Sequence, residues 1–208
     1  MSEKPPDTYL DPYREAVGDH GSDFHVTLWA NRRTQLRRFE VFAEMLPLRG
    51  KRILDAGCSR GDLAAYLLEA GIEYGRYIGV DGLPEVIEYA RQRGLPRSEF
   101  HAGDFLADRK LLARGKPQVV AISGSLNTMP LETAKKVLES AWDATREALI
   151  FNFLSDRAGE RATPQTHPAR RFDTMGLIDW ALKHTWAVRF RQDYFHHGHD
   201  ATILMEKV

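Results

Sequence analysis

Residues 52–71, RILDAGCSRGDLAAYLLEAG, decide the reading of this chain. They give a short apolar strand over Arg52–Asp55 and a turn holding Gly57 and Gly61. An amphipathic helix over 60–70 follows, with Leu63, Leu67 and Leu68 inward. A glycine turn between a strand and a helix brings backbone N–H groups close to a bound small molecule. The nature of that molecule is the functional question.

Outward from this stretch, strands and helices alternate. Tyr77–Val80 reads as a strand, 84–93 as a helix ended by Gly94 and Pro96, and Phe100–Ala102 as a brief strand. QVVAISG (118–124) gives a fourth strand, 131–146 a helix and ALIFNFL (148–154) a fifth strand. DTMGLIDWALKH (173–184) is helical. AVRFRQDYF and ATILMEKV are two strands joined by HHGHD as a hairpin. Upstream, Asn31 is placed to cap a helix with Leu36, Phe39, Ala43 and Leu46 at helical spacing, closed by Pro47 and Gly50. Residues 1 to about 20, carrying Pro5, Pro6 and Pro12, read as a loosely ordered lead-in. The expected architecture is α/β: a Rossmann-like, open, mainly parallel seven-stranded sheet with helices on both faces and a C-terminal antiparallel hairpin. Residues 1–48 form a lead-in and cap helix and 49–208 the main unit, in one globular domain.

The sequence has 208 residues, 43% of them hydrophobic and 28% charged, enough for a full core. Twenty-nine basic residues balance 29 acidic ones, so charge gives no nucleic-acid signal. A single cysteine, Cys58, excludes a disulfide framework and all-cysteine zinc sites. No apolar run is long enough to span a membrane and no signal-peptide core is present, so a cytoplasmic protein is expected. His196, His197 and His199 occupy a hairpin tip, where 196 and 197 would point to opposite faces, and no metal site is assigned to them.

Three ligand classes compete for the turn. A phosphate loop would need GxxxxGK[ST], and Asp62 stands where a lysine would help. A dinucleotide fingerprint would need GxGxxG, which Gly57-Cys-Ser-Arg-Gly61 does not supply. The acids discriminate. Asp55 precedes the first glycine, Asp81 ends strand two and Asp104 follows strand three, so all three meet at one rim. Acceptors there suit ribose hydroxyls and an adenine amine, and a carboxylate beside the turn disfavours pyrophosphate while tolerating ammonium and sulfonium charges. S-adenosylmethionine has those parts and no phosphate.

ILDAGCSRGDLAAYL, YIGVDGLPEVIEYAR and HAGDF resemble the successive motifs of class I S-adenosylmethionine-dependent methyltransferases, over roughly residues 50–155. The resemblance implies that Asp55, Gly57 and Gly61 form the acid-and-glycine motif and that the Cys58 backbone approaches the methionine end. It puts Asp81 with Gly82 on the ribose and Asp104 with Phe105 on the adenine. The family's middle glycine is Ser59 here, which fits if its backbone angle is ordinary. LWANRRTQLRRF and SGSLN are similar to a subgroup in which Trp29, Gln35 and Arg38 cover the cofactor, Arg38 facing the methionine carboxylate and Ser123 lying against the ligand. Asn127, Asn152 and His167 are the candidates for contact with a small-molecule methyl acceptor, and no catalytic base is identified. The rival readings are an NAD-dependent oxidoreductase and a non-catalytic S-adenosylmethionine-binding partner subunit. Residues 155–172, with arginines at 157, 161, 170 and 171 against Asp156 and Glu160, are long enough for a lid over the acceptor.

Overall fold

A computed structural model describes residues 9–162 and 164–208. In chain order the elements are α1 (Asp11–His20), α2 (Arg32–Met45), β1 (Arg52–Ala56), α3 (Asp62–Glu69), β2 (Arg76–Asp81), α4 (Pro84–Gln92) and β3 (Ser98–Ala102). They continue with β4 (Val119–Ile122), α5 (Leu131–Ala144), β5 (Ala148–Ser155), β6 (Arg171–Phe172), α6 (Thr174–His184), β7 (Val188–Arg191) and β8 (Asp200–Glu206). The sheet order is β3-β2-β1-β4-β5-β8-β7, with β1 to β5 parallel and β8 antiparallel to both neighbours. The chain reverses direction of winding between β1 and β4, which leaves a crevice beyond their carboxyl ends.

Alternation along the strands divides the core. Leu54, Ile78, Val80, Val120 and Ile122 face α5 and α6, whereas Ile53, Tyr77, Val119, Ala121 and Ile150 face α2, α3 and α4. Because both faces are covered, β5 is buried along its whole length, its apolar run ALIF-FL broken only by Asn152, whose amide is hydrogen-bonded at both ends.

Three expectations are corrected. The lead-in forms a helix over 11–20, because Pro12 sits in its first turn, where no intrahelical N–H bond is lost; residues 1–8 lie outside the described residues. In α2 the Asn31 side chain accepts from Thr34 N–H as expected, but the buried set is Gln35, Arg38, Phe39, Val41, Phe42 and Met45, while Leu36 and Ala43 are only half-buried. This helix packs against the sheet and the crevice at once, so its covered arc is wider than one apolar stripe. The sheet also gains an eighth, two-residue strand. β6 runs parallel to the end of β5, pairing Leu154 with Arg171 and Ser155 with Phe172.

That strand ties down the segment expected as a lid. Arg171 Nη1 donates to the Ser155 carbonyl at 2.7 Å and the His199 carbonyl at 3.2 Å, Gly159 N–H to the His197 carbonyl, and Arg170 N–H to the Asn127 carbonyl. Arg157, Arg161 and Arg170 remain exposed, whereas Arg171 serves the fold.

Gly79 in β2 has no room for a side chain, since a Cβ there would lie 2.5 Å from the Phe100 ring and 2.6 Å from Cys58 Sγ. Gly79→Ala should therefore destabilise the protein by about 1–3 kcal/mol. Urea unfolding should show this as a lower midpoint with unchanged slope.

Candidate functional site

The crevice beyond β1 and β2 holds a cleft of about 700 Å³, open mouth included. Its floor is the glycine turn. Gly57 and Cys58 N–H both donate to the Val80 carbonyl, at 2.8 and 3.1 Å, so the turn leans on β2 as it leaves β1. Gly57 has φ +79°, and a Cβ there would fall 2.6 Å from the Ser125 side chain, so glycine is needed for both conformation and space. Ser59 does not have an ordinary angle. Its φ is +44°, in the left-handed region, which costs roughly 1–2 kcal/mol for a residue with a Cβ. Its N–H thereby reaches Asp81 Oδ2 at 2.8 Å.

Asp81 is held from two sides, with Oδ1 accepting from Leu83 N–H at 3.0 Å. With about four lone-pair sites, the carboxylate keeps acceptor capacity beyond these bonds. Burial pushes the Asp81 carboxyl up to about 6, although the backbone N–H groups of Ser59, Leu83 and Gly82 pull the other way. Asp55 is 3% exposed and accepts a hydrogen bond from the Tyr77 hydroxyl. Burial, reinforced by Asp81 and Asp62, outweighs that bond and pushes it up to about 7. The third acid is Asp62, which accepts from Gln35 Nε2 at 3.3 Å and from Arg93 Nη1 at 2.7 Å. No lysine or arginine lines this cleft among the described residues. It is an apolar slot bearing carboxylates, suited to a cationic, hydroxyl-rich ligand.

The cleft collects Trp29, Gln35, Asp55, Gly57, Cys58, Asp81, Gly82, Phe105 and Ser123. Three other candidates stand apart from its lining. Gly61 caps α3 with φ +71°, packed under Phe100. Asp104 Oδ1 is taken by the Tyr9 hydroxyl at 2.7 Å and by Leu106 N–H at 2.8 Å. Arg38 is turned toward the hairpin, where Nε and Nη2 grip both oxygens of Asp200. The expected exposure of Arg38 to a ligand carboxylate is therefore corrected: the guanidinium already has a buried carboxylate of its own.

Both asparagines are committed to the fold through their amide oxygens. Asn152 Oδ1 accepts from Gly124 N–H at 2.9 Å and its Nδ2 donates to Ser123 Oγ at 3.1 Å, which shapes the turn after β4 from behind. Asn127 Oδ1 accepts from Leu154 N–H at 3.0 Å, pinning that turn to β5. His167 is exposed on the 155–172 segment, outside the cleft. Burial pushes the Cys58 thiol well up and keeps it from acting as a thiolate nucleophile.

Tyr9, Leu10, Tyr13, Val26 and Thr27, which the sequence reading did not single out, complete the cleft from above. Leu10 lies over Gly82, where a Cβ would be 2.8 Å away, and burial pushes the Tyr13 hydroxyl up to about 12. The alternation of apolar and polar residues at Val26 and Thr27 gave no periodic signal, and the proline-rich start hid α1.

Residues 53–148, just under half the chain, match the family described as methyltransferase domain. No curated protein matches the chain significantly in sequence. Among solved structures, the chain is similar to magnesium protoporphyrin IX methyltransferase (ChlM) from Synechocystis PCC 6803 with bound SAH. The TM-score is 0.69 at 19% identity, over 96% of this chain and 94% of that one. It is also similar to the DhpI-SAM-HEP complex, with TM-score 0.63 at 16% identity over 98% of each chain. Small RNA methyltransferase HEN1 gives TM-score 0.67 at 16% identity, over 82% of this chain and 25% of that one. At these identities the likeness is one of fold.

Asp55 makes the stability of the unliganded protein fall with pH. Its carboxyl titrates near 3.8 when unperturbed and near 7 in the cleft, facing Tyr77 and Asp81 from β2, Asp62 from α3 and Cys58 from the turn. Between those values the unfolded chain binds fewer protons, so stability present below about pH 4 is lost by about pH 7. Asp55→Asn, which can still accept from Tyr77, should remove that loss. Its stability gain over the parent should grow from pH 4 to 7 to the order of a few kcal/mol and then level off in urea titrations.

Proposed function

We propose that this chain, whose residues 53–148 are a methyltransferase domain set in a class I methyltransferase fold, binds S-adenosylmethionine in the cleft and transfers its methyl group to a small-molecule acceptor. Residues 49–208 act as the cofactor-binding unit and 1–48 as the cap over it. One observation carries the reading: three buried carboxylates surround a glycine turn that no lining cation offsets among the described residues. Bound SAH in the ChlM structure and SAM in the DhpI complex support the same choice.

In this reading Asp81 accepts from the ribose hydroxyls through its free lone pairs, and Phe105 and Leu83 flank the adenine. Asp104 serves the adenine amine from the edge through Oδ2, its Oδ1 being taken by Tyr9 and Leu106. Asp55 and Gln35 take the ammonium end, and the turn at Ser123–Ser125 faces the methyl. The sulfonium makes that methyl electrophilic. The protein aligns acceptor, methyl and sulfur for an in-line displacement that leaves a neutral thioether, and water is excluded by α1 above the cleft. No lining hydroxyl or thiol in the described cleft is shifted toward ionisation, so an acceptor that is already nucleophilic suits it best.

A small acceptor is favoured over RNA. The balanced charge of the chain and the acid-lined cleft oppose a polyanion, although a small-RNA enzyme shares the fold.

Calorimetry should show S-adenosylhomocysteine binding far more tightly than NAD or ATP; the reverse order would restore the oxidoreductase reading. Asp81→Ala should weaken S-adenosylhomocysteine by about 10- to 100-fold or more, since each lost charge-assisted bond contributes about 1.5–3 kcal/mol. It should also lower stability by about 1–3 kcal/mol, because Ser59 and Leu83 N–H lose their acceptor. An affinity within a factor of about two of the parent would remove Asp81 from the ribose.

A further inference from the structure

The side chain that sequence placed on the ligand, Arg38, is built into a stack beside it. Gln35 and Phe39 face the cleft from α2, and Arg38 turns about 100° round the helix from Phe39, toward β8. It is 4% exposed and Asp200, at the start of β8, is wholly buried. Asp200 receives Nε at 3.0 Å and also Nη2, while Nη1 donates to the Thr34 carbonyl at 2.7 Å. Those bonds fix the plane of the guanidinium. On it lie two rings, Trp29 with its centroid 4.0 Å from Cζ and Phe195 with its centroid 4.6 Å away. Trp29 in turn packs on the turn after β4, so closely that a Cβ on Gly124 would fall 2.2 Å from the indole. That turn is braced from behind by Asn152.

We propose that Arg38 is a positioning residue: clamped by Asp200 and backed by Phe195, it presses Trp29 onto Gly124 and so fixes the wall of the cleft beside Ser123–Ser125, where the methyl group is presented. The inference rests on the proposed cofactor reading for its catalytic meaning, but the placement of the ring does not. A bidentate arginine suits this task where lysine does not, because only a planar fork can hold Asp200 edge-on and stack on both rings. Phe195 belongs to the β7–β8 connection, so the same stack sets the hairpin against the cleft and transmits its position to the methyl end. Trp29 is the working surface; Arg38 acts through it.

The test uses the full chain in two arms. Near-UV circular dichroism isolates the Trp29 signal as the difference between the parent and Trp29→Leu. In Arg38→Lys that signal should largely vanish while the far-UV spectrum stays folded, and in Phe195→Leu, which spares the ion pair, it should fall part of the way. An undiminished signal in both variants overturns the proposal, and Phe195→Leu decides alone if Arg38→Lys does not fold. In the second arm, S-adenosylhomocysteine is titrated calorimetrically into the parent, Arg38→Lys, Trp29→Leu and the double variant. Each single change should weaken binding about tenfold and the double no further than the worse single. Additive losses approaching about 100-fold would show two independent roles and overturn the action through Trp29. A parent that binds no S-adenosylhomocysteine would overturn the cofactor reading instead, leaving the first arm to decide the ring placement.

Discussion

The molecule is organised around the burial of negative charge. Asp55, Asp62 and Asp81 are each under a tenth exposed at the same end of the sheet. Among the described residues only Asp62 has a cation against it, Arg93. Asp81 is compensated by backbone N–H groups and Asp55 by a phenol, and both carboxyls are held above their ordinary range. Burying a carboxylate without a cation is costly, and burial pushes the Asp55 carboxyl up to about 7. A cationic ligand would convert that liability into binding energy.

The strain at Ser59 belongs to the same arrangement. Its left-handed backbone turns one N–H onto Asp81, which joins the β1 turn to the end of β2. The price of that angle is set against a fixed carboxylate. Glycine permits close packing at two further points, Gly57 against the Ser125 side chain and Gly124, in the turn after β4, against the Trp29 indole. Asn152 braces that turn from β5 with both ends of its amide, and Asn127, within the turn, accepts from Leu154 N–H of β5 through Oδ1.

The cap closes this framework with a light hold. Val26 packs on Leu83 and Val86 in a small cluster separate from the two faces of the sheet, and Tyr13 and Val17 adjoin it. Tyr9 fastens the start of α1 to Asp104, and Leu10 covers Gly82. Its side-chain ties to the body include Tyr9–Asp104 and the loose pair of Asp23 with Arg60 at 3.8 Å, and its own apolar cluster is small, which makes it the part of the structure best able to yield to an entering ligand. α2, by contrast, is anchored through Phe39, Val41, Phe42 and Met45 in the core and through the Arg38–Asp200 pair.

The sequence by itself determined the order of strands and helices, the parallel sheet and the place of the cleft. Period-two and period-3.6 patterns report local burial, and glycines at 57 and 61 with acids at 55 and 81 report a strand-end turn. It also supplied the strand-end residues of that cleft, Asp55, Gly57, Cys58, Asp81, Gly82 and Ser123, because a β-strand fixes where its last side chains point; the residues from α1 and the 24–27 turn it did not supply. It missed β6, which is only two residues long and exists because the end of β5 offers it unpaired backbone groups. The ordinary angle expected of Ser59 failed because a backbone dihedral is set there by the distant Asp81 carboxylate. Likewise Arg38 and Asp104 carry the right charges for a ligand. Their partners Asp200 and Tyr9 lie 162 and 95 residues away, and only the closing of the tertiary structure decides that those charges are already engaged.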